Sequence, residues 1–204
     1  MKSITLLAVF LFVSIGGRGH ALTQPEESRW IETEGAASAK TPESVIRKWP
    51  EAAQTIARAM IEKYGLPHRY DDNALVWTDN GPWRKTVVHR TARLHRAGMR
   101  DTAYLEQTIG YEVSADTAGD LRRFDRNLKI DLAMHEISTR SGSEQTNFLV
   151  FNLVDEIARG NRTVHGARAF YDRTERLAKA GKTSRYMTGF LFKGHTFMNR
   201  TYYP

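Results

Sequence analysis

Basic residues are concentrated in one stretch of the sequence, between Trp83 and Arg100. This stretch contains no Asp or Glu, and both His89 and His95 lie within it. A run of cations without intervening acids projects a positive potential that concentrates anions. The planar guanidinium of arginine also donates paired hydrogen bonds to phosphate or carboxylate. The candidate anion-binding residues are Arg84, Lys85, Arg90, Arg93, Arg96 and Arg100.

The same charges also have a structural explanation. Solvated charges along an edge strand discourage that strand from pairing with the edge of another molecule. A basic run of this kind therefore indicates either an anion-binding surface or a protected sheet edge, and the sequence leaves both interpretations open.

Metal and nucleophile chemistry have weaker support in the sequence. The chain has no cysteine, which excludes disulfides and thiolate ligands. His135-Glu136 begins like a zinc-protease motif, but Thr139 stands where the second histidine is needed. Neither a Gly-x-Ser-x-Gly nor a Ser-x-x-Lys motif is present. We therefore expect no metal and no cofactor, and assign no catalytic residue.

A tight hairpin is predicted to carry the start of the basic run. Asp79-Asn80-Gly81-Pro82 supplies residue types that tolerate the positive φ angles of such turns. Leu75–Thr78 should therefore pair with Trp83–Arg90 as antiparallel strands. Two further strands are expected over residues 108–113 and 128–138, and an edge strand around Phe190–Phe192.

Apolar residues at helical spacing predict the helical layer. The segment between residues 101 and 107 is predicted to be a single helical turn. The last two helices follow each other closely and should form an αα-hairpin. The predicted helices cover residues 50–64, 116–125, 144–159 and 164–180. Together these elements predict an α+β fold in which an antiparallel sheet of about four strands packs against helices.

Two amides interrupt the most apolar of these helices. Asn147 and Asn152 lie in a segment whose apolar residues cover most of the helix circumference, which predicts burial on most sides. A buried amide needs hydrogen-bond partners. We expect both residues to anchor the helix to a neighbouring loop.

The first 21 residues resemble a secretory signal peptide. Lys2 precedes an apolar run from Ile4 to Ile15, which is too short to span a bilayer. Small residues at Gly19 and Ala21 predict cleavage after Ala21, and an uncleaved anchor is the alternative. Residues 22–41 then form a predicted flexible spacer, and residues 42–204 form one domain. The predicted location is the periplasm or the extracellular space.

The charge of the mature chain bears on its partners. Removal of residues 1–21 takes away Lys2 and Arg18 and leaves a formal net charge near +5. In an envelope compartment, the expected partner is an anionic envelope component or an acidic protein, and no nucleic acid is expected. No later stretch reaches membrane-spanning length.

A sequence pattern resembles a family of exported bacterial proteins to which no function is assigned. The pattern comprises Lys63-Tyr64-Gly65-Leu66-Pro67, Leu75-Val76-Trp77, Asn80-Gly81-Pro82-Trp83, Asn147-Phe148-Leu149, Asn152-Leu153 and Ala167-Arg168-Ala169-Phe170-Tyr171. It covers most of residues 43–178. The resemblance implies a shared fold and envelope residence, and it transfers no catalytic residue.

Three functions are compatible with these features. The first is a non-catalytic binding module whose basic hairpin contacts an anionic partner. The second is a small envelope hydrolase in which His89, Arg90 and His135 lie near a carboxylate. The third is an inert structural or stress-related envelope protein. A flat basic face favours the first, whereas a deep pocket in which a histidine meets a carboxylate favours the second.

Overall fold

The computed structural model describes residues 31–32, 41–96 and 99–193, with the backbone alone at 31–32, 94–96 and 99–102. In this part of the chain an antiparallel sheet packs against helices, which confirms the predicted α+β class. The predicted signal peptide lies outside the described residues. So does the predicted spacer, apart from Ile31–Glu32 and its last residue, Thr41.

Within the described residues the sheet has seven strands, whereas the sequence predicts about four. In chain order they are β1 (Ile31–Glu32), β2 (Arg69–Tyr70), β3 (Ala74–Asn80), β4 (Trp83–Arg96), β5 (Met99–Gly110), β6 (Lys129–Asp131) and β7 (Glu136–Ser141). Their order across the sheet is β1-β2-β3-β4-β5-β7-β6, and all neighbours pair antiparallel. The additional strands are short and lie toward the edges.

Five α-helices occur in the described part of the chain. They are α1 (Pro42–Ile46), α2 (Glu51–Tyr64), α3 (Ala115–Phe124), α4 (Glu144–Ala158) and α5 (Val164–Lys179). Ser114, Ser143 and Thr163 cap α3, α4 and α5 by accepting a hydrogen bond from a backbone N–H in the first turn. Each such cap contributes about 1 kcal/mol to stability. The αα-hairpin predicted at the C-terminal side is confirmed as α4 and α5.

The apolar side chains of α4 form the centre of the core. Leu149, Phe151, Leu153 and Val154 are fully buried, and the same cluster includes Ile137 from the sheet. Burial of this much of its circumference explains why α4 carries apolar residues on nearly every side. A second cluster joins α1 and α2 to β3, β4 and β5.

The predicted β3–β4 hairpin is present, and its turn depends on a glycine. Asp79 and Gly81 have φ angles of 50° and 63°, which glycine adopts without steric cost and Asp tolerates. A Cβ atom at Gly81 would also lie 3.1 Å from Cε1 of Tyr64 at the end of α2. The position therefore needs glycine both for its backbone conformation and for the close approach of Tyr64.

The helical turn expected over residues 101–107 is wrong, because this segment belongs to β5. Its alanine, leucine, glutamate and glutamine favour helices locally. However, β5 is hydrogen-bonded to β4 on one side and to β7 on the other, and residues 103–109 are all buried. Tertiary pairing therefore overrides local propensity. The strand expected over residues 108–113 forms only the last residues of β5.

The single strand expected over residues 128–138 is instead the hairpin of β6 and β7. The Asp131 carboxylate accepts hydrogen bonds from the backbone N–H groups of Ala133 and Met134, both at 3.0 Å. His135 follows with a positive φ of 51°. A turn closed by an aspartate side chain therefore divides the segment into two strands.

The edge strand expected around Phe190–Phe192 is also wrong. This segment contains no strand and supplies aromatic side chains to the core. The ring centroid of Phe190 lies 5.1 Å from that of Trp83 and 5.0 Å from that of Phe148, both with edge-on geometry. The aromatic content of the segment therefore serves packing between the sheet and α4.

Candidate functional site

The sheet has two faces, because successive side chains of a strand point in opposite directions. Leu75 and Val88 are paired across β3 and β4 and pack in the cluster formed with α1 and α2, so they define the helix face. Val76, Val87 and Glu106 are paired across β3, β4 and β5 one residue out of phase with that set. They therefore lie on the opposite side, which we call the second face.

A buried carboxylate on the second face contacts basic side chains from two other strands. Glu106 Oε2 lies 3.2 Å from Nε2 of His89, and its Oε1 accepts a hydrogen bond from Nζ of Lys129 at 2.7 Å. Arg140 is its partner across the β5–β7 pairing. Burial alone would raise the pKa of Glu106, but the hydrogen bonds from His89 and Lys129 outweigh it and lower the pKa to about 2. Glu106 is therefore ionised at neutral pH.

Arg140 is a buried cation that binds backbone carbonyls beside this carboxylate. The β4–β5 pairing shifts register between Val88 and Arg93, and such irregularities leave backbone groups without strand partners. Nε of Arg140 donates to the carbonyl of Ala103 at 2.9 Å, and its terminal nitrogen donates to the carbonyl of Thr91. Burial lowers the pKa of Arg140, which Glu106 opposes. The side chain therefore stabilises the irregular part of β4.

The structure separates the six predicted anion-binding residues into three groups. Arg84 forms an ion pair with Glu136 at 2.9 Å, which neutralises it. Arg96 and Arg100 lie on β4 and β5, outside the part whose side chains the structure describes. The remaining members are exposed and have no acidic partner among the described side chains: Lys85, Arg90 and Arg93.

The histidines named for a hydrolase do not converge. His89 does meet a carboxylate, Glu106, on the second face. His135 is exposed in the β6–β7 turn. It lies five residues before Arg140, the residue that is paired with Glu106, and is therefore roughly 16 Å from that pair along the strand direction. Within the described ranges, no group of three or more His, Asp or Glu side chains is placed to hold a metal ion.

A second polar cluster lies at the start of α4, between the helices and the sheet. Oε1 of Glu144 accepts hydrogen bonds from the hydroxyl of Tyr64 at 2.5 Å and from Nε1 of Trp83 at 2.7 Å. The same oxygen accepts from Nε2 of Gln107 at 3.2 Å, and Lys63 donates to Oε2. We call these five residues the Glu144 cluster.

The charges of the Glu144 cluster are fixed by these contacts. Burial alone would raise the pKa of Glu144, but hydrogen bonds from Lys63, Tyr64 and Trp83 lower it. Burial would lower the pKa of Lys63, yet its bonds to Glu144 and Tyr64 raise it. Burial and the neighbouring carboxylate raise the pKa of Tyr64. An anion, a cation and a neutral hydroxyl therefore join α2, the sheet and α4, with Oε1 of Glu144 occupied by three donors.

Both amides anchor α4, but only Asn152 bonds a loop as predicted, whereas the partner of Asn147 is a strand of the sheet. Nδ2 of Asn147 donates to Oε1 of Gln107 at 2.8 Å and to the carbonyl of Leu105 at 3.3 Å, so this amide anchors α4 to β5. Asn152 bonds the loop around residues 186–191, as expected. Both side chains are almost completely buried.

Sequence reasoning missed the residues that come from other strands. Glu106, Lys129 and Arg140 are distant from the basic run in sequence, and only the strand pairings bring them beside His89. For Glu144 a partial signal existed. Tyr64 and Trp83 both belong to the pattern of the resembled family, and they converge on this carboxylate.

Comparison with known proteins gives no match to a family model, to a curated protein or to a solved structure. The resemblance to exported bacterial proteins therefore stays a prediction. Among the described residues, no helix has both the length and the apolar character needed to cross a membrane.

Proposed function

We propose that this chain is an exported binding protein whose basic strand β4 contacts an anionic envelope component or an acidic protein. The supporting observation is that Lys85, Arg90 and Arg93 are exposed without an acidic partner among the described side chains. Glu106, which is paired with Val87 of β4, is buried and bonded to His89 and Lys129. It therefore offers little repulsion to an incoming anion.

The spacing of these cations favours an extended partner. Lys85 is paired with Thr108 and Arg93 with Ala103, five positions apart on β5, so the two side chains lie on opposite faces of the sheet and about 25 Å apart along β4. A single phosphate or carboxylate cannot reach both of them, whereas an extended partner that follows β4 presents charges along its whole length. We therefore propose an extended anionic surface as the ligand.

The binding test compares two variants with the same change in net charge. In the first, Lys85, Arg90 and Arg93 are replaced by Gln. In the control, three exposed cations of the helical layer, Arg122, Arg173 and Arg176, are replaced by Gln. Probes are phosphatidylglycerol-containing vesicles, pure phosphatidylcholine vesicles and polyglutamate. These probes distinguish a lipid surface from an acidic protein.

Each cation near an anionic surface contributes about 1 kcal/mol, so the first variant should bind an anionic probe about 10- to 100-fold more weakly than the wild type. The control should retain most of the wild-type affinity. Equal loss in both variants would mean that net charge alone matters, and absence of wild-type binding to vesicles and polyglutamate would contradict the proposal.

Export is tested separately by mass spectrometry of the protein recovered from cell fractions. We expect a chain that begins at Leu22, found outside the cytoplasm. An intact Met1 on protein from the cytosol would overturn the proposed location and the envelope partner with it.

A hydrolase is the alternative, and the contact between His89 and Glu106 is the observation that favours it. A general base works best when its pKa is near the working pH, and the pKa of Glu106 is about 2. Glu106 would therefore serve only to orient His89. Hydrolysis of ester or phosphoester substrates by the wild type, lost in His89→Gln with the fold intact, would favour this alternative over binding.

A further inference from the structure

A cleft of about 470 Å³ lies between the C-terminal half of α4 and residues 185–193. Asn152 of α4 holds residues 185–193 in place, because its Nδ2 donates to the carbonyls of Tyr186 and Gly189 at 2.9 and 2.8 Å. Its Oδ1 accepts from the backbone N–H of Leu191 at 2.8 Å. The cleft is therefore preformed, and its volume falls within the range of about 300 to 1,000 Å³ that is typical of small-molecule sites.

One side of the cleft is apolar. Leu191 lines it with 45% of its surface exposed. Phe192 is half-buried and packs edge-on against Tyr111, with 5.7 Å between ring centroids. An aliphatic and an aromatic side chain at the same opening provide a surface against which the apolar part of a ligand gains by leaving water.

The acidic residues of the cleft are already neutralised. Oδ1 of Asp155 accepts hydrogen bonds from the hydroxyl of Tyr111 at 3.0 Å and from Nε of Arg159 at 2.8 Å. Glu156 accepts hydrogen bonds from the hydroxyl of Tyr186 at 2.5 Å and from Nε of Arg162 at 2.5 Å. Neither carboxylate is therefore a strong site for a ligand cation.

Two cations of the cleft have no acidic partner within the part of the chain that the structure describes. Arg185 and Lys193 line it and are exposed, and neither forms an ion pair with a described acidic residue. The guanidinium of Arg185 lies 5.9 Å from the ring centroid of Tyr186, which leaves its N–H groups available to an anion. The cleft thus combines an apolar wall with two available positive charges.

We propose that this cleft binds a small amphipathic carboxylate. The carboxylate pairs with Arg185 and Lys193, and an aromatic or short acyl body packs against Leu191 and Phe192. The site does not depend on the proposed anionic surface, because none of its lining residues belongs to β4.

The probe for this proposal is 4-phenylbutyrate, titrated into the full mature protein and followed by calorimetry. The uncharged analogue 4-phenylbutanamide has nearly the same shape, and an NH2 donor replaces one of the two carboxylate oxygens. We expect saturable binding of the carboxylate and about tenfold weaker binding of the amide, since a charge-assisted bond contributes about 1.5 kcal/mol or more. Equal binding of both probes, or no saturable binding of the carboxylate, would overturn the proposal.

Variants locate the bound carboxylate. The double variant Arg185→Gln/Lys193→Gln should weaken 4-phenylbutyrate binding at least about tenfold. The control Arg173→Gln/Lys182→Gln has the same net charge and alters exposed residues that do not line the cleft. It should bind as the wild type does. Unfolding midpoints for both variants establish that the fold is intact, and an unchanged affinity in the first variant would place the probe elsewhere.

Discussion

Glu106 is a buried carboxylate whose charge depends on residues from other strands. His89 on β4 and Lys129 on β6 bond its two oxygens, and Arg140 lies opposite it on β7. Because its folded pKa is about 2, against an ordinary value of 4.5, the ionised form contributes to stability. Its contribution is complete above about pH 4.5 and is lost as the pH falls toward 2.

We predict that Glu106→Gln lowers the free energy of unfolding by about 3 kcal/mol at pH 7. Urea unfolding at a series of pH values should show that the difference from wild type shrinks between pH 4.5 and 2. The control Glu112→Gln changes an exposed residue and should shift stability by less than about 0.5 kcal/mol. A difference that stays constant down to the lowest pH would contradict this account of Glu106.

The hydroxyl of Tyr64 donates a charge-assisted hydrogen bond to Glu144 in the Glu144 cluster. Tyr64→Phe keeps the ring against Gly81 and removes this donor, together with the acceptor that the hydroxyl offers to Nε1 of Trp83 at 3.2 Å, so we predict a loss of about 2 kcal/mol in the free energy of unfolding. Tyr104→Phe is the control, because no hydrogen bond of its hydroxyl to a described residue is present and it should cost less than about 0.5 kcal/mol. Similar losses in the two variants would show that the contact with Glu144 adds no stability.

At the scale of elements, the conformation of the β3–β4 turn predicts how a substitution at Gly81 changes stability. Gly81→Ala places a Cβ at a positive φ and 3.1 Å from the Tyr64 ring, so it should destabilise the protein by about 1 to 2 kcal/mol. Gly119→Ala is the matched control, since Gly119 lies in α3 with nothing within 4 Å of the new atom. It should stabilise the helix by about 0.5 to 1 kcal/mol. Thermal unfolding measures both, and a neutral Gly81→Ala would contradict the described turn.

The elements that the sequence predicts well are those with local signals. α3, α4 and α5 each begin at a Ser or Thr cap and carry apolar residues at helical spacing. The β3–β4 turn is encoded in four consecutive residues. By contrast, β5 contains good helix formers, and only its pairing with β4 and β7 makes it a strand. Strand formation that depends on long-range pairing produces no local sequence pattern, so it cannot be predicted from neighbouring residues.

At the scale of the whole molecule, the candidate surface is predicted only in part. The cations of β4 are neighbours in sequence, so their concentration is visible without a structure. The ion pair that removes Arg84 comes from β7, and the residues that engage Glu106 come from β4 and β6. These partners depend on strand order. The sequence therefore predicts the charge of the surface and not which of its charges remain available.

The most direct test of the proposed function maps where an anionic partner touches the protein. Backbone amide chemical shifts of the wild-type mature chain are followed while polyglutamate or anionic vesicles are added. We predict that the largest changes fall on Lys85–Arg93 and on neighbouring residues of β5, with little change in α3 and α5. Changes concentrated on the helical layer, or spread evenly over all exposed basic residues, would contradict a binding surface on β4.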